Sequence, residues 1–566
     1  MTTISQALQF AVQLIETQSN HPEALLGLGI IAQQSGQYQI AERLLNSVLQ
    51  VEPESVKAWF SLGNLYQAQG NLTEAVKCYQ RALAARPDLV VCYHNLAYIF
   101  HQQGQLDEAI SSYKKALELR PDFIEAEVNL ANTLYAKGEL PQEKKAHYAL
   151  LNKDLGLSHQ QKGNPKAAIA YYRQAILLKT DLVDAIYSLQ ELLSLEFQDA
   201  VSLNPEKTIR GNVLLSYVNG PFLLQPDDPI FNVPFHQCHW ESLQIAKIWL
   251  ELGYAVDVIS YQNHSFIPQK NYDFLIDIRW NIQRLTPIIN QDCIKIFHID
   301  VAHNLFNSCA ELNRLLALQK RRGVTLHPRR FEMPNLAIEY ANCAVMIGND
   351  WTKSTFNYIN KPIYHIPNSS MQLFPFPEEK DFEHCRKNFL WLGSFGLVHK
   401  GLDLVLEAFA EMPDYHLTIC GPIKREPDFE KAFYQELYQT PNIQTIGWID
   451  ISSPEFQNIL NSCIGAVYAS CSEGQSGSVI TYLHAGLIPI ISRECGMNIE
   501  DFGVCLNNCS IEEIKASVQW VANQPAQTLK QMARKGWEYA RANHTREKFT
   551  EEYRSVVEQI ISTYQK

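Results

Sequence analysis

The chain has 566 residues, a net charge of −12 at pH 7 and a pI near 5.8, so it is too long for one ordinary domain and too acidic to neutralise bulk nucleic acid. Its 13 cysteines are scattered without a zinc-type CxxC pair, Cys505 and Cys509 coming nearest, which fits reduced, mostly buried thiols in a cytoplasmic protein. No apolar run approaches the ~18 residues a membrane span needs, and MTTISQALQFAVQLIETQ, with no basic start, is expected to be a helix and not a signal peptide; peripheral membrane contact stays open.

The first third of the chain is periodic. Gly36, Gly70, Gly104 and Gly138 stand 34 residues apart, and Pro53, Pro87 and Pro121 each follow a glycine by 17. Ala41, Ala75 and Ala109 come five residues after a glycine, where a second helix must press closely on its neighbours, and Tyr79 and Tyr113 fill equivalent core positions. This pattern resembles the tetratricopeptide repeat, two helices joined by a glycine turn. After Gly138 it loosens, with Pro141 in the turn and Glu143 in place of the alanine; Gly163, Ala168 and the Thr180-Asp181 pair restore it. Gly163 follows Gly138 by only 25 residues, so one helix pair is expected to be truncated. About five helix pairs are expected across residues 1–195, stacked as a solenoid. Such a fold serves either as a groove for a protein partner or as a spacer.

Residues 196–210 show neither repeat period nor strand alternation and are expected to be a linker. Beyond them, short β-branched runs alternate with helical stretches: NVLLSYV, YAVDVISY, YDFLIDI and CIKIFHI, separated by patterns such as HWESLQIAKIWLELG. A second series begins at Lys387, with KNFLWLGSF, DYHLTICG, NIQTIG, IGAVYAS and IPIISR. The alternation predicts two doubly wound α/β halves, 211–385 and 386–566, with a cleft between them and ligands at the carboxyl ends of the strands.

The second half carries the more specific residues. FLWLGSFGLVHKGLDLVLEAFAEMP gives a strand, a turn with Gly393 and Gly396, and Lys400-Gly401 opening a helix, where a lysine can meet an anion. Further on, YASCSEGQSGSVITYLHAGLIPIIS delivers Glu473 to a loop of small residues, Gly474, Ser476, Gly477 and Ser478, that opens another helix. Small residues let backbone amides approach a diphosphate closely.

Together with Ala408-Phe409, Gly447 and the GLIPII run from Gly486, these residues resemble the retaining, GT-B-fold glycosyltransferases of family four, closely over 387–500 and less so over 211–386. In the earlier stretch GYAVDVI, IGNDWTKSTF and IYHIPNSS, with Asn368 at the crossing between halves, sit where that family has them. The resemblance implies two Rossmann-like domains, the first on the acceptor side, and a nucleotide-sugar donor held by the second. A lysine matching Lys400 would neutralise the diphosphate, and a glutamate matching Glu473 would bind hydroxyls of the donor sugar. Gln475 to Ser478 would offer amides to phosphate oxygens. No cofactor or metal ion is then needed, because the lysine and helix amides stabilise the departing diphosphate. It further implies a terminal helix that crosses back to the first half. Two positions depart from the family: Thr481 stands where a second glutamate would contact the ribose, and Ser394 follows Gly393 where a basic residue is usual.

Three clusters in the first half remain open. His236, His239 and Glu241, in FHQCHWES, open a helix expected to face the cleft; His239 and Glu241 do not share a helical face, which favours acceptor contact or a structural helix start over a metal. His298 and His303, in FHIDVAHN, follow a strand end where the family places a histidine near the donor sugar, and neither is preferred. Arg321, Arg322, Arg329 and Arg330, in KRRGVTLHPRRFE, suit bidentate recognition of phosphate or carboxylate, standing in for the base missing at Ser394 or meeting an anionic acceptor; a solvated loop is the alternative. The reading is therefore a transferase whose acceptor is a glycan, a lipid-linked saccharide or a protein, the last because O-linked N-acetylglucosamine transferases also join these repeats to a GT-B fold. An interaction scaffold with an inactive transferase half, an epimerase and a phosphorylase are the rivals.

Overall fold

The computed structural model describes residues 21–179, 182–196, 199–206, 208–223 and 237–565; His236, Thr180 and Asp181 lie outside them. The chain divides into two compact units, Met1–Leu189 and Gln190–Lys566.

The first unit is helical. Its paired helices Pro22–Gln34 and Tyr38–Val51, Val56–Ala68 and Leu72–Ala85, Val90–Gln102 and Leu106–Leu119 repeat one geometry. Gly36, Gly70 and Gly104 turn each pair with φ between 74° and 77°, and a Cβ on any of them would meet nothing within 4 Å. Backbone handedness, not crowding, therefore requires these glycines. Gly63 is different: its Cβ would lie 2.5 Å from the ring of buried Tyr79, and Gly156 stands in the same relation to Tyr172 at 2.8 Å. The truncated pair expected after Gly138 is instead one unbroken helix, Gln142–Gln161, joined through Gly163 to Pro165–Leu178. With no proline between Gln142 and Gln161, and its one glycine, Gly156, packed against Tyr172, nothing in the chain breaks the helix where a repeat boundary would fall.

The second unit holds two sheets. The first runs β1-β3-β2-β4-β5-β6-β7, from β1 (Val201–Leu203), β2 (Gly211–Tyr217), β3 (Tyr254–Ser260), β4 (Phe274–Asp277), β5 (Ile294–Ile299), β6 (Cys343–Ile347) and β7 (Ile363–Ile366). All pairs are parallel except β1, which lies antiparallel on β3. The expected linker 196–210 thus contains an edge strand, too short at three residues to show an alternation in sequence. The second sheet is wholly parallel, β10-β9-β8-β11-β12-β13, from β8 (Asn388–Leu392), β9 (His416–Cys420), β10 (Ile443–Gly447), β11 (Gly465–Tyr468), β12 (Ile488–Ser492) and β13 (Val504–Leu506). Its chain order reverses between β8 and β11, so the loops leaving those two strands diverge and open a crevice at their carboxyl ends.

Helix Ala526–Asn543 packs on the second half, and the chain then crosses back. The last helix, Arg546–Tyr564, buries Phe549, Tyr553, Val557 and Ile560 in the core of the first sheet, about 2 kcal/mol for each large side chain. His544 ties this crossing to the other one: its Nδ1 lies 2.9 Å from the Asn368 carbonyl, and its own carbonyl accepts from the Ser370 amide at 3.1 Å. Among the described residues no helix is long and apolar enough to cross a membrane.

Candidate donor site

The turn after β8 is built by packing. A Cβ on Gly393 would lie 2.4 Å from the Trp391 indole, and one on Gly396, whose φ is 91°, would lie 2.6 Å from Cγ of Arg330. The amides of Gly396 and Leu397 are already taken by the Glu426 carboxylate at 2.7 and 3.1 Å, and the Gly393 amide by the Cys420 carbonyl at 3.1 Å. Gly393 and Gly396, expected in a donor-binding turn, admit Trp391 and the Arg330 stem by their smallness, and their own amides are spent within the protein.

Past the turn, Lys400 is 5% exposed, and its Nζ donates to Oε1 of Glu473 and to the Tyr468 hydroxyl, both at 2.8 Å. The same Oε1 accepts from Tyr468 at 3.3 Å and Ser470 at 3.2 Å. Burial alone would raise the Glu473 carboxyl, but Lys400, Arg330 and His399 outweigh it and hold it down at about 2. Burial pushes the Lys400 ammonium below its ordinary value, Glu473 pulling the other way and Arg330 adding to the fall. Burial likewise holds His399 near 3, so its ring is neutral; Nε2 donates to the Ser472 carbonyl at 2.6 Å. Oε1 of Glu473 is saturated by these three donors, while Oε2 makes no hydrogen bond with a described residue.

The Glu473 loop also meets the first half. A Cβ on Gly474 would lie 2.2 Å from the Asp300 carbonyl oxygen and 2.8 Å from that of Ile347, at the ends of β5 and β6, and the Gly474 carbonyl accepts from Thr352 Oγ1 at 2.9 Å. Gln475 is held through both its groups, Oε1 accepting from the Asn368 amide at 2.8 Å and its carbonyl from Asn368 Nδ2 at 2.7 Å. Asn368 Oδ1 in turn accepts from Gln237, which also donates to Glu241 at 2.8 Å. The Ser476 amide is spent on the Cys495 carbonyl at 3.1 Å. Helix Gly477–His484 then begins without a side-chain cap, leaving its first-turn amides, Gly477 and Ser478 among them, as the free donors of this loop. Thr481 spends its hydroxyl on the Gly477 carbonyl at 2.9 Å.

The four arginines of the first half part company. Arg321 pairs with Asp403 at 2.7 Å and Glu407 at 3.0 Å, Arg322 with Glu436 at 2.5 Å, and Arg329 with Asp428 at 2.8 Å. These carboxylates all belong to the second half, so the three arginines clasp the halves together; neither an anionic acceptor nor a solvated loop describes them. Arg330 is fixed through its backbone, its amide donating to Glu311 at 2.8 and 2.9 Å. Its guanidinium makes no ion pair with any described carboxylate, yet Glu473 and Glu332 raise its pKa against the downward pull of burial.

Residues 386–523 match the model described as glycosyl transferases group 1, and residues 54–122 and 154–181 match models of the tetratricopeptide repeat. The chain joins tetratricopeptide repeats to a GT-B glycosyltransferase domain. No curated protein sequence matches it. Among solved structures it is similar to an O-GlcNAc transferase mutant of Thermobaculum terrenum, at 14% identity over 96% of this chain and 98% of that one, TM-score 0.40. It is also similar to sucrose-phosphate synthase of Thermosynechococcus elongatus, at 13% identity over 62% of this chain and 100% of that one, TM-score 0.45. A third likeness is to TarM of S. aureus, at 14% identity over 50% and 54%, TM-score 0.36. Likenesses this distant add nothing to what the side chains of this glycosyltransferase say.

The described candidate histidines make their contacts within the protein. His298 is fully buried, edge-on to Tyr217 at 5.3 Å and beside Tyr553 at 6.1 Å, with no partner for either ring nitrogen; burial holds its pKa near 4. It faces the aromatic core because it lies on a strand covered on both sides. His303 caps helix Asn304–Arg322 and lies 2.9 Å from the Tyr358 hydroxyl. His239 is buried on helix Gln237–Glu251. Glu241 accepts from the Tyr217 hydroxyl at 3.1 Å, and burial lifts its pKa to about 7 despite that bond. Among the described residues no three His, Cys, Asp or Glu side chains are grouped to hold a metal. Sequence reasoning missed Tyr468, Ser470, Glu426 and Gln237. Tyr468 could have been found as the last residue of the strand that delivers Glu473; nothing local marks Glu426.

Proposed function

We propose that this glycosyltransferase takes a hexosyl or N-acetylhexosaminyl group from a nucleotide diphosphate sugar and passes it, with retention and without a metal ion, to a glycan, lipid-linked or protein acceptor. The observation that carries the reading is the buried Lys400–Glu473 pair at the crevice between β8 and β11. A buried ion pair gives little net stability over an apolar pair, so its presence at a topological switch point is better explained by a ligand than by the fold. Lys400 and the uncapped amides of helix Gly477–His484 meet the diphosphate, where negative charge grows as the glycosidic bond breaks. Glu473, locked through Oε1, turns its unspent Oε2 to hydroxyls of the donor sugar. Retention follows the family resemblance, with the acceptor oxygen entering on the face the diphosphate leaves. The acceptor enters along the first half, where Gln237 and Glu241 border the Glu473 loop, and the repeats recruit it or a protein partner.

Calorimetric titration of the full chain with uridine and guanosine diphosphates, in chelator and against Lys400→Ala, tests the reading. Binding that persists in chelator and is lost in the variant supports it. No binding of either nucleotide, or of adenosine and cytidine diphosphates, overturns it in favour of the scaffold.

A further inference from the structure

Four arginines reach toward the second half from residues 320–332, and three end on carboxylates. Arg330 does not. Its stem lies over Gly396, in the space that glycine vacates, and its charge acts on Glu473, Lys400, His399 and Tyr468 at once. With His399 neutral, Lys400 and Arg330 both face Glu473, while Glu332 and Asp300, the other carboxylates whose charge acts on Arg330, are paired with Arg279 at 3.4 and 2.6 Å, so no described carboxylate is in ion-pair contact with the Arg330 guanidinium. A half-buried guanidinium in that position calls for an anion from outside the protein. Two structural provisions hold it there: the Glu311 carboxylate pins the Arg330 amide, and the three flanking ion pairs fix the loop against the second half.

We propose that Arg330, carried by the first half, is the second cation of a diphosphate clamp whose first cation is Lys400 of the second half. This assignment rests on the proposed donor site and gives it a property that site alone lacks: the diphosphate is held by both halves, so the donor binds fully only when they are closed on each other. The Arg330 stem lies against Gly396, two residues past Ser394 where the family's base is missing, and comes to that turn from the other half.

The test titrates the full chain, and its Arg330→Gln and Arg330→Lys variants, with uridine and guanosine diphosphates, the corresponding monophosphates and inorganic pyrophosphate. Loss of one charge-assisted contact predicts about 10- to 100-fold weaker diphosphate and pyrophosphate binding in Arg330→Gln, with monophosphate affinity changed far less. Arg330→Lys keeps the charge, loses the fork and falls between. Hydrogen exchange at Tyr468–Glu473 unchanged from wild type separates lost contact from lost fold. If wild type binds the diphosphates and Arg330→Gln binds them equally well, the clamp is refuted and the donor site stands. If wild type binds neither the diphosphates nor pyrophosphate, the donor site falls and the clamp with it.

Discussion

Replacing Lys400 with methionine keeps the length of the side chain and removes its charge. Glu473 would then keep Tyr468 and Ser470 as donors at 3.3 and 3.2 Å and the field of Arg330, but lose its salt-bridge partner among the described residues, at 2.8 Å. Stranding one member of a buried pair costs about 3–5 kcal/mol, and the remaining donors place this case near the lower end, about 3 kcal/mol. Amides that exchange by opening this region should therefore exchange about 100-fold faster, which hydrogen-exchange mass spectrometry of the β8 and β11 segments reads directly. The double variant Lys400→Met/Glu473→Gln removes both charges and should recover protection to within about 1 kcal/mol of wild type, since the loss came from the stranded carboxylate and not from missing attraction. Acid adds a second check. With the Glu473 carboxyl held at about 2 in the folded chain against an ordinary 4.5, its contribution is complete above about pH 4.5 and fades as pH falls toward 2; Lys400→Met should flatten that fall. If Lys400→Met protects as well as wild type, or if the double variant is no better than the single one, the pair is not coupled and the electrostatic account of the site is wrong.

Gly474→Ala should push the donor loop away from β5 and β6, because the new Cβ meets two backbone carbonyl oxygens that cannot yield; a cost of about 1–3 kcal/mol and faster exchange in residues 300–303 and 347–352 are expected. His298→Phe should leave nucleotide binding unchanged and make the chain less acid-sensitive. In wild type the unfolded histidine takes a proton near pH 6.5 and the folded one only near 4, so stability falls across that window by up to about 3 kcal/mol, read from denaturant midpoints. In the repeats, Gly63→Ala should cost about 1–3 kcal/mol through collision with Tyr79, while Gly70→Ala should cost about 1 kcal/mol through strain alone; denaturation followed by circular dichroism separates them, and equal costs would refute the distinction.

What could be read from the sequence is what a residue's own neighbours along the chain decide. The turn glycines of the repeats are legible because left-handed backbone is a local demand, and β8 and β11 because apolar runs and the loops after them are contiguous. Lys400 and Glu473 could each be marked for the same reason, but their hydrogen bond joins positions 73 residues apart. Charges whose meaning lies in a distant partner could not be read at all. Arg321, Arg322, Arg329 and Arg330 are one run of like residues in sequence, and only carboxylates 82–114 residues away divide it into three clasping arginines and one without an ion pair among the described residues. Glycine misleads in the same way. Gly393 and Gly396 have the spacing of a phosphate turn, yet a small residue admits whatever approaches it, and here Trp391 and Arg330 do so before any ligand can. The two features meet, since the arginine that the sequence could not single out is the group whose stem fills the space beside Gly396. Under the proposed clamp the positive charge missing from the turn comes from the opposite half, and recognition of an anion there is a property of the closed cleft.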